Sequence, residues 1–136
     1  MERNITILLV DDDEDDRKLF FDAVREVDKT IKQISLSNGL EALAYLRDEA
    51  NSFPDFIFLD LRMHGISGQK CLEEIKKDNR LAAIPVIVYT TSREVEESIE
   101  LKKMGAAHFM SKPTSPDEIY YMLSVVLEEN LGQFNI

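Results

Sequence analysis

The sequence predicts an α/β protein built on a parallel sheet, and three observations carry that prediction. Short runs rich in Ile, Val, Phe and Leu recur along the chain, each bounded by a polar residue, as buried strands are. Segments with apolar residues at helical spacing follow each of them, and the alternation of strand and helix completes five times. The third run, Asp55 to Leu59, is almost wholly apolar after its first residue, which suits a strand at the sheet centre with helices on both faces.

Taken in order, strand one spans Ile5 to Val10. The segment DDDEDDRKLFFDAVREV then turns helical, with Leu19 or Phe20, Ala23, Val24 and Val27 on one stripe. IKQISLS alternates through Ile31, Gln33 or Ile34, and Leu36, which predicts an edge strand with one wet face, broken by Ser37-Asn38-Gly39. GLEALAYLRDEA places Leu40, Leu43, Ala44 and Leu46 on a second helix, closed by Asn51-Ser52-Phe53-Pro54. After strand three and Asp60 comes the loop LRMHGISG, then a helix with Cys71, Leu72 and Ile75 inward. Strand four is Pro85 to Tyr89. Helix four, around Glu94 to Met104, offers a narrow stripe of Val95, Ile99, Leu101 and Met104 with Gly105 as its cap. Strand five runs from about Ala107 to Met110, and the last helix shows Ile119, Met122, Leu123, Val126 and Leu127 in regular order.

With 136 residues the chain fits a single domain, residues 1–136, and 44% hydrophobic with 31% charged residues is ordinary for a globular protein. A formal net charge of −10 repels polyanions, so nucleic acid is not an expected partner. The lone Cys71 at an apolar helical position reads as a reduced core thiol. The N-terminal apolar stretch is too short for a signal peptide, and no segment approaches about 20 apolar residues, so the expectation is a cytoplasmic protein with no membrane partner.

Four strand ends carry residues able to handle a phosphoryl group or a metal ion: Asp11 and Asp12, Asp60, Thr90 and Lys112. In an open parallel sheet these ends share one edge, beyond which ligands bind. The run from Asp11 to Asp16 could be a solvated charge run. Packed against a buried strand its acids repel one another, however, and a magnesium ion held by Asp11 and Asp12 would relieve that repulsion. Asp13 to Asp16 then remain as helix N-terminal acids suited to the dipole. A calcium-binding EF-hand loop is excluded, because Asp16 stands where the loop needs Gly and Asp22 where it needs Glu.

Asp60 alone would read as a turn cap. Beside Asp11 and Asp12 it becomes a carboxylate nucleophile that needs no general base. Thr90 and Lys112 alone would be a strand former and a surface lysine; together they supply a hydroxyl donor and a point charge for phosphoryl oxygens, with Pro113 bending the chain behind the lysine. His64 and His108 lack the spacing partners of a zinc site and read as solvated or structural.

With these residues in place the chain resembles the receiver domain of two-component response regulators over nearly all its length. ILLVDDDEDD, GLEAL, FIFLDLRMHGISG, VIVYTTS and HFMSKP are similar to five motifs of that family, in order and at the right intervals. The resemblance implies a flavodoxin-like three-layer sandwich with a five-stranded parallel sheet of order 2-1-3-4-5 and five helices. It also implies that Asp60 accepts a phosphoryl group from a sensor histidine kinase or phosphotransfer protein and slowly loses it, without dedicated substrate turnover. Mg²⁺ would be held by Asp12 most directly, by Asp11 mainly through water, by Asp60 and by the backbone carbonyl of Arg62. Thr90 and Phe109 would form the switch and Lys112 would pair with the phosphoryl group.

The sequence departs from the family at His64, where Pro is common and whose absence is expected to free the loop, and at Phe109, where a frequent Tyr hydroxyl is lost. Arg62 and Ser92 occupy positions that tune aspartyl-phosphate loss. With no output domain expected, the signal would pass to a separate protein, to a second copy, or to the next histidine protein of a relay. The expected surface is helix four, strand five and helix five, where Tyr120 and Tyr121 lie off the buried stripe. IPVIVYTTS also resembles stand-alone receivers that serve phytochrome-type kinases.

Two alternatives compete. LLVDDDED also fits a haloacid-dehalogenase-type phosphatase with Asp11 as nucleophile and Asp13 as acid/base. Against it, Asp15 is not the usual Thr or Val, and the chain is short for a catalytic core with its cap. The other alternative is a degenerate receiver that binds partners without phosphorylation.

Overall fold

A computed structural model describes residues 4–91, 94–113 and 115–131. Strands β1 (Thr6–Val10), β2 (Lys32–Leu36), β3 (Phe56–Leu59), β4 (Val86–Thr90) and β5 (His108–Ser111) alternate with helices α1 (Glu14–Val27), α2 (Gly39–Arg47), α3 (Gly68–Lys77), α4 (Val95–Lys103) and α5 (Pro116–Leu131). All strand pairs are parallel and their order is β2-β1-β3-β4-β5, as the resemblance implies.

Burial follows the apolar patterns. The FIFL and VIVYT strands are buried at every position, while β2 at one edge and β5 at the other are only partly covered. Two cores result. One lies under α2, α3 and α4 and includes Leu8, Ile57, Leu72, Ile75 and Leu101; the other lies under α1 and α5 and includes Ile7, Phe20, Phe58, Leu123 and Leu127. In the second core Phe20, Phe58 and Tyr89 form an aromatic cluster with centroids 4.9–6.3 Å apart. No helix among the described residues is long and apolar enough to cross a membrane.

Two helix faces differ from the sequence expectation and a third settles an alternative that it left open. In α1 the buried stripe takes Phe20 and leaves Leu19 exposed. In α2 the Asn38 side chain caps the helix by accepting the Glu41 N–H, and this fixes the helix phase. The inward stripe becomes Gly39, Ala42, Leu43 and Leu46, an i, i+3, i+4, i+7 set, and Leu40 and Ala44 turn outward. In α4 only Leu101 is buried; Val95 and Ile99 share an i, i+4 face that points away from it, 71% and 50% exposed. Gly105 follows α4 with φ of 109°, a conformation that favours glycine. Strands β4 and β5 each extend one residue further than expected, because Thr90 and Ser111 still pair.

Candidate functional site

The β-ladder carries each predicted residue to the same edge. The Asp11 N–H donates to the Leu36 carbonyl and the Asp60 N–H to the Val10 carbonyl, both at 3.0 Å, so both acids leave their strands in register. The Lys112 N–H donates to the Thr90 carbonyl at 2.6 Å, which places the lysine just beyond β5 and beside the end of β4. Thr90 is fully buried. Phe109, opposite Val88 in the β4–β5 pairing, is partly buried against the α2–α4 core.

The convergence is tight. Lys112 Nζ lies 2.8 Å from Asp11 Oδ2, 2.9 Å from Asp16 Oδ2 and 3.2 Å from Asp60 Oδ2, and it stands 5.7 Å from the Tyr89 ring centroid. Asp11, Asp12 and Asp60 each bring one carboxylate oxygen into a group whose members lie within 4.8 Å of one another. One ammonium thus serves three carboxylates while Asp12 adds a fourth, so negative charge is in excess. A compact set of hard oxygen donors with surplus charge fits a divalent cation that prefers carboxylates and water.

The electrostatics differ from residue to residue. Burial pushes the Asp11 carboxyl up to about 6 although Lys112 and the Asp13 N–H oppose the rise. Burial also works against the Lys112 ammonium, but its hydrogen bonds to Asp11 and Asp16 more than reverse this and hold it above the usual lysine range. Burial keeps the Tyr89 phenol above its ordinary range. At Asp12 a slight burial effect is outweighed by hydrogen bonds from His64, which hold that carboxyl below the usual range.

Local structure explains the placement. Asp13 caps α1 by accepting the Asp16 N–H at 2.9 Å, as its position in the acidic run suggests. Asp16, expected only as a dipole-suited acid, belongs to the site through Lys112. It lies four residues before buried Phe20 on the same helical face, and that spacing is the signal which could have found it.

His64 corrects a second expectation. Its ring is solvated, yet Nδ1 lies 2.7 Å from Asp12 Oδ2, and its backbone N–H donates to the same oxygen at 3.1 Å. A proline would have no such N–H, so the departure ties the loop to Asp12 instead of freeing it. The Arg62 N–H donates to Asp60 Oδ1 at 3.3 Å. Gly68 supports Asp60 from behind: a Cβ there would meet the Asp60 carbonyl oxygen at 2.1 Å, so only glycine fits. Tyr120 lines a groove of about 260 Å³ with Val27 and Ile31 on the α1 side, not the α4–β5 side expected for it, while Tyr121 is exposed. Ser92 lies outside the described residues.

A five-stranded parallel sheet whose carboxyl edge gathers carboxylates, a hydroxyl and one lysine defines a class of phosphoryl-handling switch proteins. The family model of the response regulator receiver domain matches residues 7–124, and the chain belongs to this family. It is 32% identical over 129 residues to the probable methanogenesis regulatory protein FilR2 of Methanothrix harundinacea, covering 93% of this chain and 83% of that protein. It is 30% identical over 121 residues to the response regulator Rcp1 of Synechocystis sp., covering 86% and 82%.

Among solved structures, the phosphorylated cyanobacterial phytochrome response regulator RcpA superposes with a TM-score of 0.87 at 29% identity, covering 96% of both chains. The Mn²⁺-bound form of Rcp1 superposes with a TM-score of 0.82 at 28% identity, covering 91% of this chain and 92% of that one. The chain is therefore a receiver domain of two-component systems with the flavodoxin-like fold, and receiver domains are signalling switches that bind a divalent metal in an acidic pocket.

Proposed function

We propose that residues 1–136 act as a single receiver domain, a cytoplasmic phosphoacceptor switch in which Asp60 takes a phosphoryl group from a phosphohistidine on a sensor histidine kinase or phosphotransfer protein. The likeness to RcpA, described as a phytochrome response regulator, favours a phytochrome-type kinase as donor. The observation that carries the function is the meeting of Lys112 with Asp11, Asp16 and Asp60 beside the open carboxylate of Asp12.

An Asp60 carboxylate oxygen attacks phosphorus, the donor's P–N bond breaks, and the donor imidazole takes a proton from water. Lys112 Nζ, already within 3.2 Å of Asp60, pairs with a phosphoryl oxygen, and the Thr90 hydroxyl donates to another. Asp11, Asp12, Asp60 and the Arg62 carbonyl would hold Mg²⁺, which supplies the charge that lets a phosphoryl dianion approach this acidic pocket. The new charge draws Thr90 inward and the Phe109 ring follows, altering the α4–β5–α5 face. Its two helices carry exposed apolar side chains, Val95 and Ile99 on α4 and Tyr121 and Val125 on α5, and we assign the downstream protein or a second copy to this face.

The test is incubation with acetyl phosphate or beryllofluoride and Mg²⁺, followed by mass spectrometry to locate the adduct. One adduct on Asp60, absent from Asp60→Asn, is expected. Modification that survives Asp60→Asn and vanishes with Asp11→Asn would restore the phosphatase alternative, and no Mg²⁺-dependent adduct would restore the degenerate receiver.

A further inference from the structure

The open end of the site holds a group that the proposed switch does not use. The His64 side chain is 99% exposed, yet its Nδ1 lies 2.7 Å from Asp12 Oδ2. The backbone N–H of His64 reaches the same oxygen, so the loop stays anchored whatever the ring does. Asp12 is also the accessible carboxylate of the trio, with 23% of its side chain exposed against 0% for Asp11 and 7% for Asp60.

An imidazole nitrogen and a carboxylate oxygen this close share a proton. They are also near the spacing for a shared ion, since adjacent ligands on an ion with bonds of about 2.1 Å stand roughly 3 Å apart. The ring lies outside the group formed by Asp11, Asp12 and Asp60, and being almost fully exposed it has no packing to hold it there.

We propose that Asp12 and His64 form a nitrogen-bearing arm of the metal site, which takes imidazole-accepting divalent ions such as nickel, cobalt or zinc more tightly than the carboxylates alone would. The proposal rests on the assignment of Asp11, Asp12 and Asp60 as a metal site. Magnesium prefers oxygen ligands and retained water and gains nothing from the ring, whereas the later first-row ions favour imidazole nitrogen. On binding, Nδ1 gives up to solvent the proton it shares with Asp12 and offers its lone pair to the ion, and the bound ring is neutral with its one proton on Nε2. The Asp12 oxygen exchanges the ring's hydrogen bond for the ion and retains the one from the backbone.

Calorimetric titration of tag-free protein with nickel chloride and, separately, magnesium chloride tests this in the wild type, His64→Ala, His108→Ala and Asp12→Asn. His64→Ala keeps the backbone N–H, so it removes the nitrogen ligand without releasing the loop. Loss of groups that only hydrogen-bond to metal ligands typically changes affinity about 10- to 100-fold, and a ligand matters no less. His64→Ala should therefore weaken nickel by at least about tenfold more than it weakens magnesium. His108→Ala should match the wild type for both ions. Selective paramagnetic broadening of the His64 ring protons by nickel would support direct ligation.

Equal nickel affinity in wild type and His64→Ala would overturn the proposal. A parallel loss of nickel and magnesium would overturn it too, and would make His64 a positioning residue. Absence of magnesium binding in the wild type, or magnesium binding indifferent to Asp12→Asn, would instead sink the underlying metal assignment.

Discussion

The site has two halves built on opposite terms. In the inner half, Lys112, Asp11 and Asp60 are almost sealed from solvent and their charges meet within 3.2 Å. In the outer half, Asp12 pairs with a ring that is nearly wholly exposed. Low-dielectric surroundings strengthen the inner contacts and make any unpaired charge there expensive, whereas solvent screens the outer pair. The contrast separates two tasks. The inner half holds Asp60, the proposed acceptor, and its counter-charge in fixed geometry, and the outer half keeps a carboxylate available to what arrives from solution.

The largest effect should come from Lys112→Met, which leaves Asp11, Asp16 and Asp60 facing one another without a cation. A loss of about 3 kcal/mol at pH 7 is expected from urea unfolding, shrinking as the pH falls through about 6 and Asp11 protonates. A pH-independent loss of the same size would mean that the lysine stem matters for packing and not for charge.

Asp11→Asn comes next, and its sign depends on pH. Because burial raises the folded-state pKa from 3.8 to about 6, the Asp11 contribution to stability is fully present below 3.8 and is lost as the pH rises through 6. The asparagine variant lacks that loss. Relative to wild type, in the absence of divalent ions, it should gain about 1–3 kcal/mol between pH 4 and about 7 and no more above that. A difference that stays flat over this window would show that Asp11 is not strained by burial.

The smallest stability effect belongs to Asp12→Asn, which sits in the screened half and should change metal-free unfolding by less than about 1 kcal/mol. The same substitution should abolish the rise in melting temperature expected of the wild type on addition of Mg²⁺. A large metal-free loss here would erase the distinction between the halves.

Much of the inner half was legible in the sequence, because a buried strand that ends on an acid, a hydroxyl or a lysine announces both its burial and its edge. Asp11, Asp60, Thr90 and Lys112 all follow from that pattern, and so does the sheet centre at FIFL. What was not legible depended on helix phase or on contacts between loops. Asn38 rotated α2 so that Ala42 replaced Leu40 and Ala44, and one helical turn brought Asp16 back over the strand ends to Lys112. His64 meets Asp12 across 52 residues of chain, a distance that no local pattern encodes. In α4, the apolar character of Val95 and Ile99 predicts a place on the buried stripe, but the helix can bury only the face that carries Leu101.

The alternation of side chains in β4 and β5 partitions the protein's freedom to change. Tyr89 and Met110 belong to the layer beneath α1 and α5, while their neighbours Val88 and Phe109 belong to the layer beneath α2, α3 and α4. A substitution in one layer meets the other only through the backbone of a sheet one residue thick. The two faces can therefore drift at separate rates, and a new binding preference can arise on one of them while the packing that carries Lys112 and Tyr89 stays as it was.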